Sequence, residues 1–118
     1  MHYLADQREQ AVAILHQNFL LDIYGETILG VVLGHCVFDA NGTARAKYFR
    51  HTLYTMEGRV LAREHGIVNH LAIDDFRMMT AAWDIVNAIT DHSCPIIVPL
   101  NEWSNVPVAE HFSGVEVF

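Results

Sequence analysis

The chain has 118 residues, an apolar share of 52% and a net charge of −7 from seven basic and fourteen acidic side chains. That length suits one domain over 1–118 with a sizeable core, and the acidic balance argues against nucleic acid or an anionic membrane as partner. The longest apolar run, Ile28–Phe38, falls well short of the ~20 residues of a helical membrane span. Residues 1–10 carry acids and no apolar core of a leader, so the reading is cytoplasmic. Cys36 and Cys94 lie far apart in sequence with no C-x-x-C; two reduced thiols are expected, and the spacing is also compatible with one disulfide. An apolar share this high in so small a domain predicts self-association, most simply a homodimer.

In chain order, Leu4, Ala11, Val12, Leu15 and Phe19 recur at helical spacing, with Asp6, Gln7, Arg8, Gln10 and Gln17 on the rest of the circle. This predicts an amphipathic helix over residues 4–21, stopped near Gly25. Ile28–Phe38 is rich in Val and Ile, carries two glycines and leads into Asn41-Gly42, so it reads as a strand and the first reversal. Glu57-Gly58 marks a second. Thr27–His65 is therefore expected to form a three-stranded antiparallel meander. Two-residue turns place Val37 opposite Ala46, His35 opposite Tyr48, Thr52 opposite Arg63 and Tyr54 opposite Leu61, with His51 opposite Glu64. One face then collects His35, Tyr48, Arg50, Tyr54, Arg63 and His65.

Asp74-Asp75 opens a second helix with an aspartate cap, and Phe76, Met79, Ala82, Trp83, Ile85, Val86 and Ile89 form a broad stripe, with Trp83 expected in the core. Pro95 ends it near 91–94. Ile96–Leu100, between prolines, reads as an edge strand or extended segment. Trp103 sits in a polar loop, and Val115–Phe118 is a candidate last strand. The fold class expected is α+β: N-terminal helix, three-stranded antiparallel meander, second helix and short C-terminal strands, with no internal repeat.

The common catalytic and nucleotide-binding motifs are missing. No cofactor or metal is expected, since His65, His70 and Asp74 match no standard ligand spacing. Residues 45–65 nevertheless carry a charge of +3 against −10 elsewhere. Arginines in such a patch suit a carboxylate or phosphate, because the guanidinium fork binds both oxygens. His35, Tyr48, Arg50, Tyr54, Arg63, His65 and Trp103 are the candidate ligand-binding residues. His51 and Glu64 are the candidate acid–base pair, an imidazole oriented by a carboxylate. The function expected is a small self-associating binding domain for a small anionic or amphipathic ligand; the alternative is an acid–base enzyme of hydrolase, isomerase or dehydratase type.

Overall fold

The computed structural model describes residues 1–69 and 71–113. Eight strands run in sequence order, β1 (His2–Ala5), β2 (Ala11–His16), β3 (Phe19–Leu21), β4 (Ile28–Leu33), β5 (Cys36–Asp39), β6 (Ala44–Phe49), β7 (Thr52–Thr55) and β8 (Val60–Ile67). Each pairs antiparallel with the next, and β8 pairs with β1, closing a barrel. Two helices follow, α1 (Asp75–Ala88) and α2 (Val108–Ser113). The α+β expectation is thereby overturned: the sheet is a closed eight-stranded barrel rather than a three-stranded meander between helices.

The barrel interior is a ring with one residue from every strand: Leu4, Ala13, Leu20, Val32, Val37, Ala46, Leu53 and Ala62. An eight-stranded barrel is just wide enough inside for such side chains, and small residues facing large ones fill its taper. Val108 and Phe112 of α2 join this cluster, and His111 Nε2 hydrogen-bonds the Arg45 carbonyl oxygen at 2.6 Å, so α2 closes one end. A second cluster lies on the outer wall. Ile14, Phe19, Leu21, Val31, Cys36 and Phe38 meet Met78, Ala82, Ile85 and Ile89 of α1 and its C-cap.

Burial on both faces explains the failed helix at residues 4–21. Ala13 and Leu15 point inward while Ile14 points under α1, so the run has no polar alternation and its apolar spacing fits a helix as well as a strand. Asp6 breaks that run: its Oδ1 accepts from the N–H groups of Arg8 (2.9 Å) and Gln10 (3.0 Å), and Glu9 takes φ 61. The same device recurs. Asp22 Oδ1 accepts from Glu26 and Thr27, Asp39 Oδ1 from Asn41 and Thr43, and Thr55 Oγ1 from Glu57 and Arg59. These positions are 16, 17 and 16 residues apart. The chain does hold an internal repeat, then, of four hairpins. It is written in turn geometry more than in residue identity, which hid it.

Tight turns at the opposite end account for the other departures. Gly34-His35 splits Ile28–Phe38 into β4 and β5. Arg50 and His51, at φ 54 and 59, reverse the chain between β6 and β7, a conformation that non-glycine residues seldom adopt and no composition signals. The Asn41-Gly42 and Glu57-Gly58 reversals are longer than two residues, with Gly42 and Gly58 in the left-handed region and a bulge beside each. Val37 still faces Ala46 and Thr52 faces Arg63, but Tyr54 faces Val60, not Leu61.

Helix α1 is capped by Asp74, which accepts from Arg77 N–H at 3.1 Å, and ends at Ala88 rather than at 91–94. Trp83 is 60% exposed and Phe76 83%, so the stripe is buried on one side only and Trp83 is not a core residue. Residues 96–100 form no strand. Residues 102–104 pair with Val60 beside β8. The candidate strand Val115–Phe118 lies outside the described residues, where the last element is α2.

Asp39 is fully buried and its Oδ2 also accepts from Arg45 Nε at 2.9 Å. Asp39→Ala leaves Arg45 and two turn N–H groups without their carboxylate, at a cost of about 3 kcal/mol. Asp6→Ala, at a solvated turn, costs about 1 kcal/mol. Urea midpoints at unchanged slope check the difference.

Candidate functional site

Two constellations draw on the residues singled out in the sequence. One lies at the barrel mouth opposite α2, the other on the outer wall.

Strand alternation sends Tyr48 and Glu64 inward near that mouth. Glu64 Oε2 hydrogen-bonds His51 Nδ1, its Oε1 lies 3.7 Å from His2 Nδ1, and the Tyr48 hydroxyl donates to the carboxylate. Glu64 is 17% exposed and His51 83%, so the imidazole stands at the rim above a half-sunk carboxylate. Burial, then the Glu64 charge and hydrogen bond, push the Tyr48 hydroxyl well above the ordinary tyrosine value. A carboxylate supplied by one neutral donor and two imidazoles can accept or pass a proton, or hold a cationic group. Its neighbour His65 points outward and is exposed.

The outer wall collects a different set. Cys36, Lys47 and Tyr54 are register partners across β5, β6 and β7, and all face out. Phe49, two residues along β6 from Lys47, stacks on Tyr54 with centroids 4.8 Å apart and meets the His35 ring edge-on at 6.0 Å. Arg50 lies 5.8 Å over Phe49. The chain between the helices crosses in front as a strap, anchored where Leu100 N–H donates to the Gly58 carbonyl at 2.8 Å. A Cβ on Gly58 would come within 2.1 Å of the Val98 carbonyl oxygen, so this crossing requires glycine. Between strap and wall runs a groove of about 560 Å³ lined by His35, Lys47, Phe49, Arg50, Ile96, Ile97 and Pro99. That is a size suited to a small ligand.

Lys47 is the decisive side chain here. It is 8% exposed, and among the described residues it makes no hydrogen bond or ion pair. Of the other bases of the middle third, Arg45 pairs with Asp39, Arg59 lies 3.9 Å from Glu102, Arg63 lies over the Trp103 ring at 5.1 Å, and Arg50, exposed over Phe49, also has no carboxylate partner among the described residues. Arg63 and Trp103 thus sit together on the wall beyond β8, away from the groove residues. The expected common face divides three ways: Tyr48 inside with Glu64 and His51; His35, Arg50 and Tyr54 around the groove; Arg63 with Trp103. The turn at Arg50-His51 causes the division, by returning the chain before Tyr54.

Lys47, Phe49, His2 and the strap residues Ile96, Ile97 and Pro99 were not among the sequence candidates. Period-two alternation of Arg45, Lys47 and Phe49 was legible, but the strap's approach was not. Among the described residues no group of three His, Cys, Asp or Glu side chains is placed to hold a metal, and His70 lies outside them. No described helix is long and apolar enough to cross a membrane. Comparisons with protein-family models, curated proteins and solved structures find no match.

Because folding holds the Tyr48 proton more tightly than the unfolded chain does, stability is retained below the ordinary tyrosine value of 10.0 and declines as pH rises past it. Tyr48→Phe removes this contribution. Chemical denaturation from pH 8 upward is expected to show a shallower alkaline decline in the variant than in the parent.

Proposed function

We propose that this protein is a self-associating binding barrel that takes a small amphipathic anion, such as a medium-chain carboxylate, in the groove between its outer wall and the strap. The unpaired Lys47 ammonium carries this reading. The Lys47 ammonium is not sealed from solvent, but no carboxylate among the described residues pairs with it, so a ligand carboxylate in the groove would meet a free charge-assisted donor. Arg50 and His35 stand at the same opening with further positive charge or donors, while Phe49, Ile96, Ile97 and Pro99 provide an apolar wall for a hydrocarbon tail.

The test is calorimetric titration with octanoate, hexyl phosphate and the uncharged octanol. The anions bind and octanol does not. Lys47→Met preserves length and burial while removing charge, and is expected to weaken octanoate at least ~10-fold, a charge-assisted hydrogen bond being worth about 1.5–3 kcal/mol. Equal affinity in parent and variant rejects the groove as an anion site.

Self-association is the second part of the reading. Phe76, Met79 and Trp83 project along one exposed ridge of α1. Beside it runs an apolar groove of about 380 Å³ lined by Phe19, Val31, Leu33, Ala82 and Val86, with Met79 and Trp83 at its edge. A ridge and a groove on one face can be satisfied together by a second copy about a two-fold axis. Sedimentation of the parent at micromolar concentration is expected to show a dimer, and Trp83→Glu a monomer of unchanged circular dichroism.

A further inference from the structure

Cys36, on the outer wall of β5, and Cys94, at the start of the strap, belong to one packed cluster and lie close enough for their thiols to interact electrostatically. Both are free thiols in this structure. Cys36 is also the cross-strand partner of Lys47, so the pair stands directly beside the groove. Among the described residues, no hydrogen bond involves residues 95–99, and Ile96 and Val98 are exposed. The strap is thus held at its two ends, by the Leu100–Gly58 bond and by the packing of Cys94.

We propose that Cys36 and Cys94 form a reversible disulfide that fastens the strap over the groove and makes occupancy of the anion site depend on redox state. This rests on the groove reading for its consequence, not for its chemistry.

The oxidant is a low-molecular-weight disulfide such as oxidised glutathione. Cys94, the more exposed of the two, attacks as thiolate; the glutathione S–S bond breaks, one glutathione leaves as thiolate and takes up a proton, and a mixed disulfide remains on Cys94. The Cys36 sulfur then attacks Cys94 Sγ, the Cys36–Cys94 bond forms, and the second glutathione leaves and is protonated. Two protein thiols are oxidised by two electrons as one glutathione disulfide is reduced to two thiols. Burial, the largest cause that raises the Cys36 thiol, persists in the mixed disulfide even though Cys94 is no longer a thiol there, so the second step is the slow one. Lys47 acts in the opposite direction, because its positive charge favours the Cys36 thiolate. An anion paired with Lys47 withdraws that help. Bound octanoate is therefore expected to slow closure of the disulfide.

The experiment equilibrates the full chain in glutathione buffers of graded ratio and reads three quantities. Intact mass is expected to fall by two hydrogens with a Cys36–Cys94 linked peptide on digestion. Limited proteolysis within 95–99 is expected to slow several-fold in the oxidised form, and octanoate affinity to differ several-fold between the two forms. Cys94→Ser, a near-isosteric change at a partly buried position, abolishes all three changes while leaving the reduced protein folded. Only mixed or intermolecular disulfides at every ratio would overturn the proposal. So would a linked pair that alters neither proteolysis nor affinity. If octanoate binds neither form while the disulfide forms and protects the strap, the groove reading fails and the fastener stands.

Discussion

Hydrogen bonds from a side chain to the backbone of its own turn hold this structure in register. Asp6, Asp22, Asp39 and Thr55 each accept from N–H groups two to five residues ahead, and each thereby reverses the chain at the same end of the barrel. A closed sheet has no free edge to absorb a slip, since a shift at one hairpin would displace every later strand against β1. The buried member, Asp39, is the most constrained. It holds two turn amides and the Arg45 guanidinium at once, and Gly42 in that turn abuts the backbone at Ala88 and Ile89, where α1 ends.

Closure also decides where a ligand site can lie. The ring of one side chain per strand, with Phe112 and Val108 entering from α2, fills the interior with apolar groups. Polar chemistry is displaced to the mouth, where Glu64 gathers Tyr48, His51 and His2, and to the outer wall, where Lys47 and its aromatic neighbours face the strap. The two regions share β6: Tyr48 points in and Lys47 points out. Alternation along one strand thus separates a hydrogen-bonded, internally satisfied carboxylate from an ammonium that has no partner among the described residues. That contrast is why the proposed anion site is placed on the wall and not at the mouth.

Legibility from sequence followed locality. The capping aspartate of α1 and the reversal at Gly42 depend on residues a few positions apart and were readable; the Val37–Ala46 and Thr52–Arg63 pairings, nine and eleven positions apart, agree because a bulge beside each longer turn restores the register. The opposition of His51 and Glu64 across β7 and β8 was readable too. The N-terminal helix was not, because Leu4, Ala11, Val12, Leu15 and Phe19 satisfy a 3.6-residue period although they lie on strands whose two faces are both largely covered. The turn at Arg50-His51 was silent, since neither residue favours positive φ and tertiary closure imposes it. Trp83 was misplaced for a related reason: the helical stripe shows which residues are apolar, not how wide a wall is available to cover them.

By itself, the sequence determined an acidic chain with a basic middle third, strand-forming runs and capped local reversals, because propensity, charge and turn hydrogen bonds act over a few residues. Only the tertiary structure decided that the strands close on themselves, that Tyr48 and Tyr54 part to opposite faces, and that the strap after α1 meets Lys47 and Cys36. Those outcomes depend on burial between segments tens of residues apart, and burial is a property of the assembled barrel rather than of any one stretch of it.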